Sequence, residues 1–118
     1  MKKKKYNKLG DVERFLSAFV AYAVDQGVLL ITHAMTNCEG RHCLLGELLA
    51  RGGRYDGEDE LNDELARRLG IPANMVVDIM EGWDWAGWPG TTLPFERLGR
   101  RLRTRYLLRN KRVTEANA

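Results

Sequence analysis

The segment from Asp63 to Asp84, DELARRLGIPANMVVDIMEGWD, constrains what this chain can fold into more than any other. Leu65, Ala66 and Leu69 recur at helical spacing, Gly70 is a helix stop, and Ile71-Pro72 restarts the chain. Pro72 is allowed in the first turn of the second helix, because its missing N–H would have no partner there. Met75, Val76, Ile79 and Met80 make a second apolar face, and Gly82 is read as its end. The expectation is helix, turn, helix, with the remaining elements arranged around this corner.

On either side the same periodicity recurs. Asp11 can cap a helix to about Gln26, with Val12, Phe15, Leu16 and Phe19 at i, i+3, i+4, i+7, and Tyr22 and Ala23 continuing that face. Gly27 suits the position after its end. Val28–His33 is an apolar, β-branched run of strand length without a second strand to pair with, so an extended segment or a second helix is expected there. Asn37–Arg41 reads as a loop, His42–Arg51 as a helix stopped by Gly52-Gly53, and Arg54–Glu60 as an acidic loop ahead of the next helix. Trp83–Pro94 is a tryptophan-rich loop. A last helix from about Phe95 to about Asn110 carries Phe95, Leu98, Leu102 and Tyr106 on its inner face. The expected architecture is mainly α: a single domain of about five helices over residues 10–110. Residues 1–9 form a disordered basic tail and 111–118 a frayed one.

At 118 residues there is room for one core, and 44% hydrophobic content is enough to fill it. No apolar run is long enough to cross a membrane. The lysines at 2–5 are followed by polar residues rather than a hydrophobic stretch, so no secretion signal is read. Cys38 and Cys43 give no disulfide framework and fit a reducing compartment, which places the protein in a cytoplasm. The net charge of +3 conceals an asymmetry: residues 1–8 carry +5, residues 9–94 carry −8 and residues 95–118 carry +6. Basic ends on an acidic body can contact phosphates or an acidic protein surface.

Several residue sets could carry function. From Leu65 to Gly82 the spacing resembles that of repressor-type helix-turn-helix segments, in which a tight turn lets one helix enter the major groove. The groove-facing positions would be Ala73, Asn74, Met75, Val77, Asp78 and Glu81. Only Asn74 reads bases well, Asp78 and Glu81 would be repelled by phosphates, and the helix has no Arg or Lys. The basic last helix is the second candidate, its arginines suited to phosphate or to an acidic groove. Trp83, Trp85 and Trp88 are the third: indoles turned inward are core, and those turned outward form a patch of the kind that anchors interfaces. His33, Cys38, His42 and Cys43 have zinc-ligand chemistry, but the spacing lacks a paired C-x2-C clamp, and Cys43 also fits an apolar stripe. No motif orients a thiol–imidazole pair, matches a calcium loop or forms a phosphate-binding glycine loop. No cofactor and no catalysis are therefore expected.

From Val12 to Leu107 the layout also resembles that of small bacterial and phage helical proteins. The matching features are a first helix closed by Gly27, a Cys43-Leu44-Leu45-Gly46 helix start, a helix pair, and a Trp83-Asp84 turn before the closing helix. That resemblance implies a shared small fold and assigns no activity. The chain departs from the group in its long tryptophan loop and basic last helix. The reading that results is a non-catalytic protein that binds and modulates a larger protein or nucleoprotein complex; a phage or mobile-element inhibitor fits the size and charge layout. Its binding residues would be Trp85, Trp88, Arg97, Arg100, Arg101, Arg105 and Arg109. The alternative is a helix-turn-helix DNA-binding regulator using Asn74, Arg101, Arg105 and Arg112. An exposed face on Met75, Val76 and Met80 would instead serve a homodimer.

Overall fold

The structure is a computed structural model and describes residues 7–32, 43–52, 58–86 and 93–116. Five helices and no strand are found among them: α1 (Asn7–Asp25), α2 (Leu44–Gly52), α3 (Glu58–Leu69), α4 (Ala73–Asp84) and α5 (Pro94–Ala116). The mainly α single-domain expectation holds. No described helix is long and apolar enough to cross a membrane.

α1 begins at Asn7, inside the stretch expected to be a disordered tail; residues 1–6 lie outside the described residues. It ends as its sequence suggests. Gly27 takes φ +75°, its N–H donates to the Val24 carbonyl at 2.9 Å, and the Val28 N–H reaches back to the Ala23 carbonyl at 2.9 Å. This pair of bonds closes a helix through a left-handed residue, which glycine adopts without steric cost. The core-facing residues of α1 are Val12, Leu16, Val20, Ala23 and Val24, so the apolar arc splits. Phe15 and Tyr22, expected inside, remain 49% and 47% exposed, and Phe19 stacks on Tyr22 at 6.4 Å between ring centres.

Val28 to Ile31 is neither helix nor strand. Its backbone groups are satisfied by side chains from distant helices. The Leu30 N–H donates to the Tyr106 hydroxyl at 3.0 Å, and Trp83 Nε1 donates to the Ile31 carbonyl at 2.8 Å. A buried backbone segment must find such partners somewhere, and here it finds them without a ladder.

α2 starts two residues later than expected, because Cys43 caps it. The Cys43 carbonyl accepts the Glu47 N–H at 2.8 Å, and its Sγ accepts the Gly46 N–H at 3.3 Å, the role a serine hydroxyl commonly fills. α3 takes in Glu58, Asp59 and Glu60, which were expected in a loop; acids in a first turn complement the helix dipole. Residues 53–57 lie outside the described residues.

The central corner forms as read. Gly70 has φ +71°, and both its N–H and that of Ile71 bond to the Ala66 carbonyl. Pro72 stands one place before the helix, as its N-cap at φ −63° and ψ 151°, and its carbonyl accepts the Met75 N–H at 3.0 Å. Two expectations fail here. Val76 is fully buried, and Met75 and Met80 pack against the core, so no exposed apolar face is left on those three for a homodimer. Gly82 does not end α4, which continues to Asp84. It lies buried where α4 crosses α5, opposite Gly99. A Cβ on Gly82 would stand 1.9 Å from the Glu96 carbonyl oxygen, and one on Gly99 would stand 2.2 Å from that of Ile79. The two backbones touch there, and this is the most extensive helix pair among the described residues.

α5 is longer than expected. It opens on Pro94, where a missing N–H costs nothing, and runs through the supposed frayed tail as far as Ala116; residues 117–118 lie outside the described residues. Phe95, Leu98, Leu102 and Tyr106 are buried as predicted.

Candidate functional site

The tryptophans separate by helical phase. Val76, Ile79 and Trp83 follow i, i+3, i+7 along the buried side of α4, so Trp83 is core at 2% exposure. Trp85 falls just past the helix end, with its N–H bonded to the Glu81 carbonyl at 2.9 Å, and its side chain is 44% exposed. Trp88 lies outside the described residues. Leu93, at the foot of α5, is exposed as well. Arg100 extends toward this turn: its Nη1 lies 3.5 Å from the Ala86 carbonyl, and it pairs loosely with Glu96 at 3.8 Å. Arg100, expected to meet a partner, is only 15% exposed and holds the turn that presents Trp85.

The other arginines of α5 divide into three groups. Arg101, Arg105 and Arg109 face α1, whose acids the sequence reading had not connected to them. Arg101 grips Glu13 with two bonds, Nε to Oε2 at 3.1 Å and Nη2 to Oε1 at 2.9 Å. Arg105 also reaches Glu13, at 3.1 Å, and bonds to the Ser17 hydroxyl. Arg109 holds Asp25 through Nε at 3.2 Å and Nη2 at 3.0 Å. Residues 13, 17 and 25 meet 101, 105 and 109 in the same order, so α1 and α5 run parallel. The Arg101 hydrogen bonds, aided by the charges of Arg101 and Arg105, hold the Glu13 carboxyl below the usual range against the opposing effect of burial. Arg103 is turned the other way, its guanidinium 5.2 Å from the Trp83 ring centre and 5.5 Å from that of Tyr106. Partial burial there pushes its pKa down. Arg97 and Arg112 are exposed and make no ion pair among the described residues.

The outward side of α4 carries Asn74, Val77 and Glu81, all exposed, with Asp78 half-buried beside them. Burial first, and then the nearby Glu96 charge, raise the Asp78 carboxyl above its ordinary value. Asn74 therefore sits on a face with acids and no cation. That is the wrong electrostatics for a helix in a DNA groove. Among the described residues no hydrogen bond joins Asn74 to the arginines of α5.

Cys43 is buried, and desolvation raises its thiol pKa, which is the reverse of activating a nucleophile. His33, Cys38 and His42 lie outside the described residues. A helical phase count would have separated Trp83 from Trp85. The Glu13–Ser17–Asp25 side of α1 was also legible as a polar stripe, whereas its pairing with α5 was not. Comparison of the chain with protein-family models, with curated proteins and with solved structures finds no match.

Proposed function

We propose that this protein acts by binding, docking onto a larger protein or nucleoprotein complex through the junction of α4 and α5. The observation that carries this reading is the exposed Trp85, set at the end of α4 on a turn that Arg100 reaches across to from α5. An indole offers a large apolar area with few rotatable bonds, which suits it to anchor an interface. Leu93 and Arg97, at the start of α5, are exposed as well and add apolar and cationic surface. The chain's size and uneven charge fit a modulator, an inhibitor encoded by a phage or mobile element being one form, and we place it in a cytoplasm. As a DNA reader, α4 is disfavoured by Asp78 and Glu81 on its outward side.

The test is capture from an extract of the host cell by the immobilised protein, repeated with Trp85→Ala. The variant loses the captured partner while its thermal midpoint stays within about 2 °C of the native value, since an exposed side chain contributes little to folding. Retention of the partner, or collapse of the fold, counts against the proposal. A duplex-DNA titration on the same preparations shows whether a captured complex is held through nucleic acid.

A further inference from the structure

The groove between the parallel helices α1 and α5 holds more cations than it has acids to match. Arg97, Arg101, Arg105, Arg109 and Arg112 succeed one another at intervals of four, four, four and three residues, which aligns them on one side of α5. At the rise of an α-helix, this stripe is roughly 22 Å long. Two acids of α1 pair with it, Glu13 and Asp25. Glu115, one turn beyond Arg112, is exposed and forms no ion pair among the described residues.

The C-terminal part of the stripe borders an open groove of about 180 Å³, lined by Ser17, Val20, Ala21, Leu108 and the arginines at 105, 109 and 112. The donors facing it can be counted. Arg105 spends one N–H of Nη1 on Ser17 and one of Nη2 on Glu13, which leaves Nε–H and the second hydrogen of each Nη. Arg109 spends Nε–H and one N–H of Nη2 on Asp25, which leaves both hydrogens of Nη1 and one of Nη2. Arg112 pairs with no acid among the described residues. The pairs with Glu13 and Asp25 leave the Arg105 and Arg109 side chains 47% and 43% exposed. They do hold two long side chains extended at the rim, which lowers the entropy lost when a ligand binds.

We propose that this groove binds a phosphate group, with Arg112 as its principal cation and Arg105, Arg109 and the Ser17 hydroxyl around it. A carboxylate offers two acceptor oxygens, which Asp25 spends on Arg109. A phosphate has more acceptor oxygens and matches guanidinium forks in geometry as well as charge. The length of the stripe points to successive phosphates of a nucleic-acid strand as the source, and a free phosphate anion presents the same chemistry. This site is separate from the Trp85 surface and stands or falls independently of it.

The experiment pairs calorimetric titration of the full chain with pyrophosphate and anisotropy of a labelled oligonucleotide, single-stranded and duplex, at about 50 and 200 mM salt. Saturable binding is expected, weakened about tenfold or more by Arg112→Glu, a change at an exposed position that leaves the unfolding midpoint in place. Arg109→Gln should weaken it less. If a strand is the source, the oligonucleotide binds with a log–log salt slope of roughly −2 to −3, reduced in Arg112→Glu. If a free anion is the source, pyrophosphate binds with the same dependence on Arg112 and the oligonucleotide adds nothing. Either pattern supports the groove. Absence of saturable binding at the lower salt, or binding to Arg112→Glu equal to the native chain's, overturns it.

Discussion

Gly82 and Gly99 illustrate how a residue read locally one way can act globally in another. In an open helix, alanine in place of glycine stabilises by roughly 1 kcal/mol. At these two positions a Cβ would lie against carbonyl oxygens of the opposite helix, at 1.9 Å and 2.2 Å. Gly82→Ala and Gly99→Ala should therefore each cost about 3 kcal/mol in urea unfolding, the reverse of the local preference. Tyr106 gives a second residue-level test. Its hydroxyl accepts the buried Leu30 N–H, so Tyr106→Phe strands a donor and should cost about 1–3 kcal/mol with little change in packing. Asp78 gives a third. A carboxyl whose folded pKa is raised destabilises the fold wherever it is ionised, and that penalty disappears as pH falls below its ordinary value of 3.8. Asp78→Asn should raise the unfolding midpoint at neutral pH and leave it unchanged in acid.

At the scale of elements, the α1–α5 seam and the α3–α4 corner separate what spacing predicts from what it cannot. The corner was legible, since Gly70 and Ile71-Pro72 encode a left-handed stop and a restart that depend on neighbours alone. The seam was not. The arginine spacing on α5 showed a basic stripe, and the expectation was that it would face a partner; in the fold Arg101, Arg105 and Arg109 face Glu13, Ser17 and Asp25 of α1. Nothing local says that two helices whose paired residues, Glu13 and Arg101, lie 88 positions apart will run parallel. Glu13 links the seam to pH. Its carboxyl is depressed below the ordinary 4.5, so its stabilising effect is fully present above that value and is lost as pH falls through the lower, folded one. The stability difference between the native chain and Glu13→Gln should be constant at neutral pH and vanish in strong acid, as followed by urea midpoints across the pH range.

Over the described residues, fully buried side chains come from all five helices, and the backbones meet where α4 crosses α5, beside the bonds of Trp83 and Tyr106 to the 28–31 segment. Leu98, Leu102, Ile79 and Val76 are all fully buried there. Amides of α4 around Ile79–Trp83 and of α5 around Leu98–Tyr106 should exchange slowest with solvent, at rates set by global unfolding, and those after Asn110 fastest. Uniform protection along α5 would contradict this. What the sequence by itself determined was the helical class, the five-helix count, the glycine stops at 27 and 70 and the buried stripe of α5, because each depends on periodicity or backbone freedom within one or two turns. Helix ends were less legible: α5 ran six residues past the expected stop and α4 passed through Gly82, because packing supplies stability that local propensity does not encode. Only the tertiary structure decided that Gly82 meets Gly99, that Phe15 and Tyr22 stay outside, and which arginines meet α1. Each of those depends on which surfaces are brought together, and residues far apart in the chain carry no mutual signal in a single sequence.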